Sequence, residues 1–512
     1  MMDEQKIREI SPEKFRFVRS DERIHDEKLK TKPIGYFKDA WLRFRKDRSA
    51  VVAFVLIMFL LLFSLIVPFF SHYDVSFRDG YYKTVLPKVG LFNGTGFWDG
   101  TARQTENQAG FDYLNAIGVE TGRPAIVTEP EHFTDANGID YYRMRVDYYA
   151  KVGFVFLNMD VNAYGALQDY QDATGIQVLY PMPATNGTDF VIGNGGANFW
   201  YKLQDERQSS AGLAAKDAQG NYVPNYVLSE DKNALDYDSL RIAGDDGANG
   251  QWYVYAQRNQ SGYRVRVDYY EYFRYIYGAA PTFAFGTNIY GQDIFSCLAA
   301  GGRLSFLLAI CVSVINFLIG AVYGAIEGYY GGAADIIMER ISDILYSVPF
   351  IVVAELFQLH LAAKVGVLVS LLFAFISTGW VPEAASVRMQ FYRFKGQEYV
   401  LAARTLGARD RRLIFKHIFP NALGTIITGA ALTIPGVIFS ESMLSYLHII
   451  NLETSSLTSI GTMLSNGQGY LSTYPHIILF PAIFISILEI SFNLFGNGLR
   501  DAFNPSLRGA GE

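Results

Sequence analysis

Long apolar stretches without charge alternate with polar stretches along this chain. The first, Ala50–Phe70, holds 21 residues with no charged side chain. As a helix it would extend about 30 Å, which matches the hydrocarbon thickness of a bilayer. Nearly fifty mostly polar residues precede it, and no small-residue cleavage pattern follows. We therefore predict an uncleaved transmembrane helix over 49–71 rather than a signal peptide.

Five further spans are predicted from the same pattern. They lie at about 304–326, 344–363, 365–381, 422–447 and 477–496. Six spans place both termini on one side of the membrane. Residues 1–48 contain 14 Lys and Arg, and the connection between the fourth and fifth spans is also basic. By the positive-inside rule, both termini and that connection are predicted to be cytoplasmic.

The ends of the chain follow from this topology. Residues 1–48 are predicted to be a basic cytoplasmic tail that finishes in an interfacial helix, Gly35–Arg48, whose Trp41 and Phe44 suit the headgroup layer. Residues 281–500 form the membrane core, and residues 501–512 form a cytoplasmic tail. The predicted fold class is a polytopic α-helical membrane protein with six transmembrane helices.

Residues 72–280 are too long and too aromatic to be a simple connection. The stretch from 73 to 279 contains 17 Lys and Arg against 26 Asp and Glu, and turn signals such as Asn93-Gly94 and Asn137-Gly138 recur in it. Aromatic content at this level argues against disorder. We predict a folded, β-rich extracellular domain inserted between the first and second spans.

One internal echo stands out within that insertion. Tyr142–Tyr149 reads YRMRVDYY and Tyr263–Tyr270 reads YRVRVDYY, 121 residues later. Alternation predicts that each is a half-buried strand. Either the two are parts of a duplicated unit or paired strands of one surface, or they are two unrelated strands with ordinary alternation. No similarity longer than the echo itself is visible in the sequence.

Composition excludes several classes of function. Hydrophobic residues make up 50% of the chain, charged residues only 18%, and the formal net charge is −6, which argues against general nucleic-acid binding. The chain has no Gly-Lys dipeptide and therefore no phosphate-binding Walker A loop. Its two cysteines and seven histidines show no metal-ligand spacing. We expect no catalytic residues, no metal site and no cofactor bound by this chain.

The basic connection is more ordered than a topological role requires. A short helix, Glu398–Leu406, is followed by Gly407 and by a second helical piece, Asp410–Ile418, which we predict to stop before Pro420. Small side chains at Ala402 and Ala403 would allow another surface to approach closely. The pattern predicts a compact helix–turn–helix between two spans.

This segment resembles the cytoplasmic "EAA" loop of binding-protein-dependent ABC import permeases. In that loop Glu-Ala-Ala is followed by three residues, Gly, nine residues and Ile-x-Leu-Pro. Here the frame is Leu401-Ala402-Ala403, Gly407 and His417-Ile418-Phe419-Pro420. Both gaps match in length, while Leu401, His417 and Phe419 depart from the general pattern. Those departures resemble the oligopeptide/dipeptide branch of the family.

Other segments resemble the same branch. They are Phe285–Ser305, Glu339–Pro349, Ser440–Leu447 and Phe492–Pro505. The resemblance covers roughly residues 32–75 and 280–508 and leaves out the insertion. It identifies the chain as similar to the C-type permease subunit of an oligopeptide or dipeptide importer, and it implies a type I ABC importer permease fold in a bacterial plasma membrane.

The resemblance implies a division of labour among subunits. ATP and Mg²⁺ would bind to two cytoplasmic ATPase subunits, a second permease subunit would complete a heterodimer, and an extracellular substrate-binding lipoprotein would deliver the peptide. Membrane lipids surround the spans. The residues implied in coupling to the ATPase, within a loop at 398–420, are Glu398, Ala402, Ala403, Gly407, Ala408, Arg411, His417 and Pro420.

Three carboxylates fall within predicted spans, where charge is costly and usually functional. Glu355, Glu441 and Glu489 are candidates for lining a translocation path, although each could instead be hydrogen-bonded within the bundle. The predicted function is ATP-driven peptide import. The alternatives are a permease for nickel, glutathione or another small solute, and a membrane-anchored extracellular receptor or enzyme.

Overall fold

The computed structural model describes residues 36–184, 194–204, 213–230, 240–242, 250–452 and 457–503. Residues 1–35 of the predicted tail at 1–48 and residues 504–512 of the predicted tail at 501–512 lie outside this range. The described part consists of a bundle of apolar helices and a separately folded insertion between its first two long helices.

Eleven α-helices form the bundle among the described residues. They are α1 (Tyr36–Phe44), α2 (Arg48–Phe70), α6 (Ile294–Tyr330), α7 (Gly332–Tyr346), α8 (Phe350–Val365), α9 (Val367–Lys395), α10 (Glu398–Thr405), α11 (Asp410–Arg412), α12 (Phe419–Tyr446) and α14 (His476–Phe503), with the short helix α13 (Ile460–Gln468) between the last two. A π-helical turn, Leu413–Ile418, joins α11 to α12.

Five helices in the described residues are long and apolar enough to cross a membrane. The pair α7 and α8 adds a sixth if it counts as one span, but the two are bent by 71°. The predicted continuous helix over 344–363 is therefore wrong. The chain breaks at Ser347–Pro349, where Pro349 has no N–H to continue the helical ladder and starts α8 instead.

Other helix ends also differ from the predicted bounds. Helix α6 begins ten residues earlier than 304, because Asp293 caps it by accepting the Ser296 N–H at 3.0 Å. Helix α9 continues to Lys395 rather than ending at 381. Its last turns are polar yet stable, because Arg388 pairs with acidic residues on α7.

The bundle packs through small residues. Three glycines of α6, at 320, 324 and 328, face α9 so closely that a Cβ on Gly324 would overlap the backbone of Ala384. A Cβ on Gly320 would lie 2.7 Å from Glu383 Cβ, and one on Gly328 would lie 2.7 Å from Phe391 Cβ. A small-xxx-small stripe of this kind lets two backbones approach, as is common between helices in membranes.

The insertion contains nine strands and three helices among its described residues. The strands are β1 (Thr101–Asn107), β2 (Glu131–Thr134), β3 (Asp140–Asp147), β4 (Phe154–Met159), β5 (Leu179–Tyr180), β6 (Leu228–Ser229), β7 (Trp252–Tyr253), β8 (Ala256–Arg258) and β9 (Tyr263–Asp268); the helices are α3 (Gln108–Thr121), α4 (Val161–Thr174) and α5 (Tyr269–Tyr277). They form three antiparallel sheets, β1-β3-β2, β4-β9-β5 with β8 also on β9, and β6-β7.

The insertion is therefore a mixed α/β fold, and "β-rich" describes only part of it. Helices α3 and α4 form because each has a start and a stop signal. Asn107 and Asp160 cap their N-termini, and Gly122 and Gly175 end them in the left-handed conformation at φ +68° and +69°. The largest core of the insertion is rich in tyrosine, and Tyr82, Tyr149 and Tyr255 are among its fully buried side chains.

The two echo strands do not pair with each other. The first is β3 in one sheet and the second is β9 in another. They belong instead to two copies of one unit. In each copy a strand leads directly into a 14-residue helix that ends at a glycine. The first copy has β1, α3 and Gly122, and the second has β4, α4 and Gly175, each starting 53 residues later.

The pairing within the two copies is equivalent as well. Val146 of the first echo bridges Ile126, and Val267 of the second echo pairs with Leu179. Leu179 lies 53 residues after Ile126, the same spacing as between the other elements. Asp147 and Asp268 end their strands opposite Thr101 and Phe154. The structure thus favours a duplicated unit over two unrelated strands, and the duplication extends well beyond the eight-residue echo.

Candidate functional site

The segment Glu398–Pro420, called here the coupling loop, is a capped helix followed by a turn. Gly407 has φ +81°, which a residue with a Cβ rarely adopts. The Ala408 N–H donates to Ala403 O at 3.0 Å and the Gly407 N–H donates to Arg404 O at 2.9 Å. These two bonds form a Schellman motif that closes α10. The turn is consequently a fixed structure, and the predicted helix–turn is present.

The second half of the coupling loop is not a separate helix. We expected it to stop before Pro420, but α11, the π-helical turn and α12 follow one another without a break. The Phe419 N–H donates to Ile414 O, five residues back. A widened turn at this place accommodates the missing N–H and the ring of Pro420 within a continuous helix.

The inner face of the loop is anchored by apolar packing. Val400, Leu413 and Ile418 are fully buried, and they form one cluster with the ends of α6 and α9. Ala403 and Ala408 pack against this cluster. Of the small residues predicted to meet a partner, these two therefore face the chain's own core.

Polar contacts fasten the same face. The Tyr329 hydroxyl at the end of α6 donates to Asp410 Oδ1 at 2.5 Å, and Arg404 Nη2 donates to the Tyr329 oxygen at 3.3 Å. One helix beyond, Arg388 of α9 bonds to Asp335 at 2.6 Å and to Glu339 at 2.7 Å, both on α7. The loop is thus bonded to the end of α6, and α9 is bonded to α7 beside it.

The outer face of the loop is exposed and partly apolar. Leu406 is 87% exposed, and Leu401, Ala402 and Gly407 lie on the exposed surface with it. Two exposed leucines, Leu401 and Leu406, on one rigid helix suit burial against a partner surface. The predicted coupling residues include Ala402 and Gly407 but not Leu406, although the sequence shows an apolar residue directly before a helix-ending glycine.

The remaining predicted coupling residues lie at two places. Glu398 is exposed in the first turn of α10, where its charge suits the helix dipole. Arg411 and Pro420 are exposed, while His417 is half-buried and its carbonyl accepts from Asn421. A shallow concavity of about 530 Å³ opens beside them, lined by Arg409, Arg411, Arg412, Phe415, Lys416 and Pro420. Its positive rim suits an acidic partner.

The three predicted path carboxylates have different surroundings. Glu355 of α8 is exposed. Glu441 of α12 is buried and accepts hydrogen bonds from Ser305 at 2.9 Å and Ser445 at 3.1 Å, which favours the alternative of a bonded scaffold residue. Glu489 of α14 is half-buried, and its Oε1 has no hydrogen bond within the described residues.

The predicted path residues do not include Glu383, a buried carboxylate on a spanning helix. Glu383 of α9 is buried among α6 and α12, where Gly320 and Gly429 leave room for it. The predicted span ended at 381, so Glu383 was placed outside the membrane. Predicting Glu383 as part of the span would have required the helix to continue past Pro382. A proline usually ends or kinks a helix, so the sequence did not indicate this.

The sequence of the bundle matches known permeases. A family model described as "Binding-protein-dependent transport system inner membrane component" matches residues 317–509, and one described as "N-terminal TM domain of oligopeptide transport permease C" matches 35–87. The oligopeptide transport system permease protein OppC of Bacillus subtilis is 44% identical over 224 residues, which are 44% of this chain and 72% of that protein. The chain belongs to this family of permeases.

Two other permeases of the family align over a similar part of the chain. The dipeptide transport system permease protein DppC of Bacillus subtilis is 40% identical over 225 residues, or 44% of this chain and 69% of that protein. OppC of Haemophilus influenzae is 40% identical over 235 residues, or 45% and 74%. This chain is accordingly a multi-pass membrane transport subunit. Residues 88–280, which are most of the insertion, lie between the two matched ranges.

Proposed function

We propose that this chain is the C-type permease subunit of an ABC importer that moves oligopeptides or dipeptides across a bacterial plasma membrane. The observation that carries the proposal is the coupling loop. A capped, rigid turn exposes Leu406 on one side and is fastened to α6 on the other through Tyr329 and Asp410. Peptide cargo is supported by the names of the relatives, which are oligopeptide and dipeptide permeases.

The proposed topology has six spans, with α7 and α8 counted as one, and both termini in the cytoplasm. The basic coupling loop then lies on the cytoplasmic side and the acidic insertion lies outside. The proposed assembly contains a second permease subunit, two ATPase subunits that bind ATP and Mg²⁺, and an extracellular substrate-binding lipoprotein. This chain contributes no ATPase site and binds no cofactor of its own.

The proposed mechanism is mechanical. An ATPase subunit would grip Leu406, Ala402 and the basic rim around Arg411. When the two ATPase subunits close on ATP, the loop would move with them and displace α6 and α9 through the anchored face. Glu383 would then change its access to the two sides, because it lies on α9. Glu355 would follow, because its helix α8 accepts a hydrogen bond from Ser370 of α9 at the Phe357 carbonyl.

The coupling loop can be tested with Leu406→Asp in the assembled transporter. We expect the purified complex to lose its ATPase subunits and ATP-driven uptake of a labelled peptide to fall at least about tenfold, because an aspartate would be buried unpaired in the joint. The matched control is Leu471→Asp, which alters an exposed leucine in the turn between α13 and α14.

Each outcome of this experiment bears on a different part of the proposal. Normal ATPase retention and uptake in the Leu406→Asp complex would contradict the proposed joint. Competition of the uptake by nickel or glutathione, with none by oligopeptides or dipeptides, would contradict the peptide cargo. A stable wild-type chain that retains no ATPase would favour an anchored receptor or enzyme.

A further inference from the structure

An apolar tip projects from the insertion at residues 90–98, which we call the 90–98 loop. Leu91 is 85% exposed and Phe97 is 63% exposed, with the half-buried Phe92 between them. The sequence 89–98 reads VGLFNGTGFW and contains no charged side chain, although the insertion as a whole is acidic. Adjacent exposed aromatic and aliphatic side chains on a soluble surface normally indicate a partner.

The tip is held in one conformation. The Thr95 hydroxyl lies 2.7 Å from Phe92 O and 3.0 Å from Phe97 O, and the Gly96 N–H donates to Asp99 Oδ2 at 2.8 Å. From the neighbouring sheet, Arg145 Nη2 donates to Gly96 O at 2.9 Å. The exposed side chains are therefore presented by a fixed scaffold, and their exposure is not the result of a loose loop.

The position of the loop decides what covers it. The Trp98 indole stacks on Phe480 with ring centroids 5.7 Å apart, and its N–H donates to Ala284 O. Phe480 lies in the first turn of the membrane-spanning helix α14. Phe480 also stacks on Phe285, which contacts Phe295 at the start of α6. The loop is thus joined to the helix ends that mark one boundary of the bilayer.

The lateral direction follows from the same aromatic contacts. Phe295 packs on Phe63 of α2, with ring centroids 5.2 Å apart. Helix α2 is the least buried of the five helices that are each long and apolar enough to span a membrane, and Phe69 and Phe70 at its end are exposed. The loop is consequently on the side of the bundle where α2 presents its apolar surface outward, and aromatic side chains at this depth suit the headgroup layer.

We propose that the 90–98 loop inserts into the lipid leaflet at which α2 ends, with Leu91 and Phe97 reaching the acyl chains and Trp98 in the headgroup layer. Its occupant is the bilayer itself, since the loop is uncharged, rigid and level with the spanning helix ends. Contact of this loop with lipid would hold the inserted domain, residues 72–280, against the membrane in addition to its two chain connections. The inference requires that α14 spans the membrane, but it depends on neither the cargo nor the sidedness.

The proposal is tested by photo-cross-linking in the full assembled transporter. p-Benzoylphenylalanine is placed at Phe97 of the complex in phosphatidylcholine–phosphatidylglycerol vesicles, and the same residue is placed at Ile139 as a control. Ile139 is 47% exposed at the turn between β2 and β3. We expect lipid adducts at 97 and none at 139.

A second measurement covers the case in which the cross-linker disturbs the site. A nitroxide on Phe97→Cys, in a Cys297→Ala/Cys311→Ala background, should collide at least about threefold more with oxygen than with a nickel chelate, relative to the same label on Ile139→Cys. Adducts at 97 to another subunit would overturn the proposal, as would equal nickel accessibility at 97 and 139.

Discussion

The bundle and the insertion use opposite means to hold one chain together. In the bundle, α6 and α9 meet through glycines and alanine, and little side-chain volume lies between them. In the insertion, the largest core is rich in tyrosine, and ion pairs such as Arg266 with Glu120 are buried nearby. Lipid gives no hydrophobic driving force between helices, so close approach replaces it. Water rewards burial of large aromatic area, which the insertion supplies.

The two copies within the insertion repeat this contrast on a smaller scale. Arg145 of the first echo is half-buried, whereas its counterpart Arg266 is fully buried under the helix of the other copy. Arg266 donates to Glu120 Oε1 at 2.7 Å and to Pro181 O at 3.0 Å, and it lies over the Phe154 ring at 3.7 Å. Equivalent positions in the two copies therefore differ in burial and in bonding partners, because one copy packs on the other.

The strongest test of the contrast is Gly324→Val on α6. Overpacking usually costs about 1–3 kcal/mol, and we expect at least about 3 kcal/mol here because the neighbour is rigid backbone. The yield of monodisperse protein and its thermal unfolding in nanodiscs would measure this. Gly436→Val on α12 is the matched control, since a Cβ there meets nothing within 4 Å. Equal loss in both variants would contradict the close-approach account.

The insertion should instead respond to loss of a buried charge. Arg266→Met leaves Glu120 buried without its cation and should destabilise the insertion by about 3–5 kcal/mol. Arg143→Met removes an exposed partner of Glu131 and should cost about 0–1 kcal/mol. Chemical denaturation followed by tyrosine fluorescence would compare the two. Similar midpoints would mean that the Arg266 pair adds nothing to stability.

The duplication predicts matched effects at the two helix ends. Gly122→Ala and Gly175→Ala each force a Cβ into the left-handed conformation, and each should destabilise by about 1 kcal/mol. Gly165→Ala lies inside α4 with open space around it and should instead be neutral or stabilising by about 0.5–1 kcal/mol. A large difference between the first two variants would show that the copies are not equivalent in stability.

The smallest predicted effect concerns a lysine in the cavity between the copies. The cavity is lined by residues of both, including Glu106, Phe154 and Lys151. Burial lowers the pKa of Lys151 from 10.5 to about 8, and the Glu106 carboxylate partly opposes this. Competitive acylation read by mass spectrometry should therefore give a midpoint near pH 8.

Two consequences of that lowered pKa can be checked. The unfolded chain binds the Lys151 proton up to about pH 10.5, so this lysine's contribution to stability should rise as the pH increases from 8 to 10.5. Glu106→Gln should lower the midpoint further, because it removes the charge that raises the pKa. A midpoint near 10.5 would contradict the burial of the lysine.

The sequence predicted the long apolar helices well, because a bilayer demands about 20 apolar residues in succession. Helix ends were harder to predict, since the polar end of α9 is stable only through the contacts of Arg388 with Asp335 and Glu339. The duplication was only partly visible. Outside the echo, the two copies share few identical residues, among them Leu114 with Leu167 and Thr121 with Thr174. The duplication is revealed by the register of strand pairing and not by residue identity.

In the coupling loop, the turn could be predicted from the sequence but the orientation of the side chains could not. Its spacing predicted the turn at Gly407, because a left-handed residue has a strong sequence preference. It did not predict which small residues face outward, and it wrongly ended the helix at Pro420. Whether Ala403 faces a partner or the chain's own core depends on Val400 and Leu413, which are brought together only by the fold.

The unbroken helix through Pro420 has a geometric consequence. From Asp410 to Tyr446 it contains 37 residues and forms a lever arm about 55 Å long. If such an arm pivots near its loop end by ~10°, simple trigonometry moves its far end by about 10 Å. A helix that began at Phe419 would be about 42 Å long, and the same rotation would move its far end by only about 7 Å. By keeping the helix continuous, the π-helical turn would let a small rotation at one end of the helix become a larger displacement at the other.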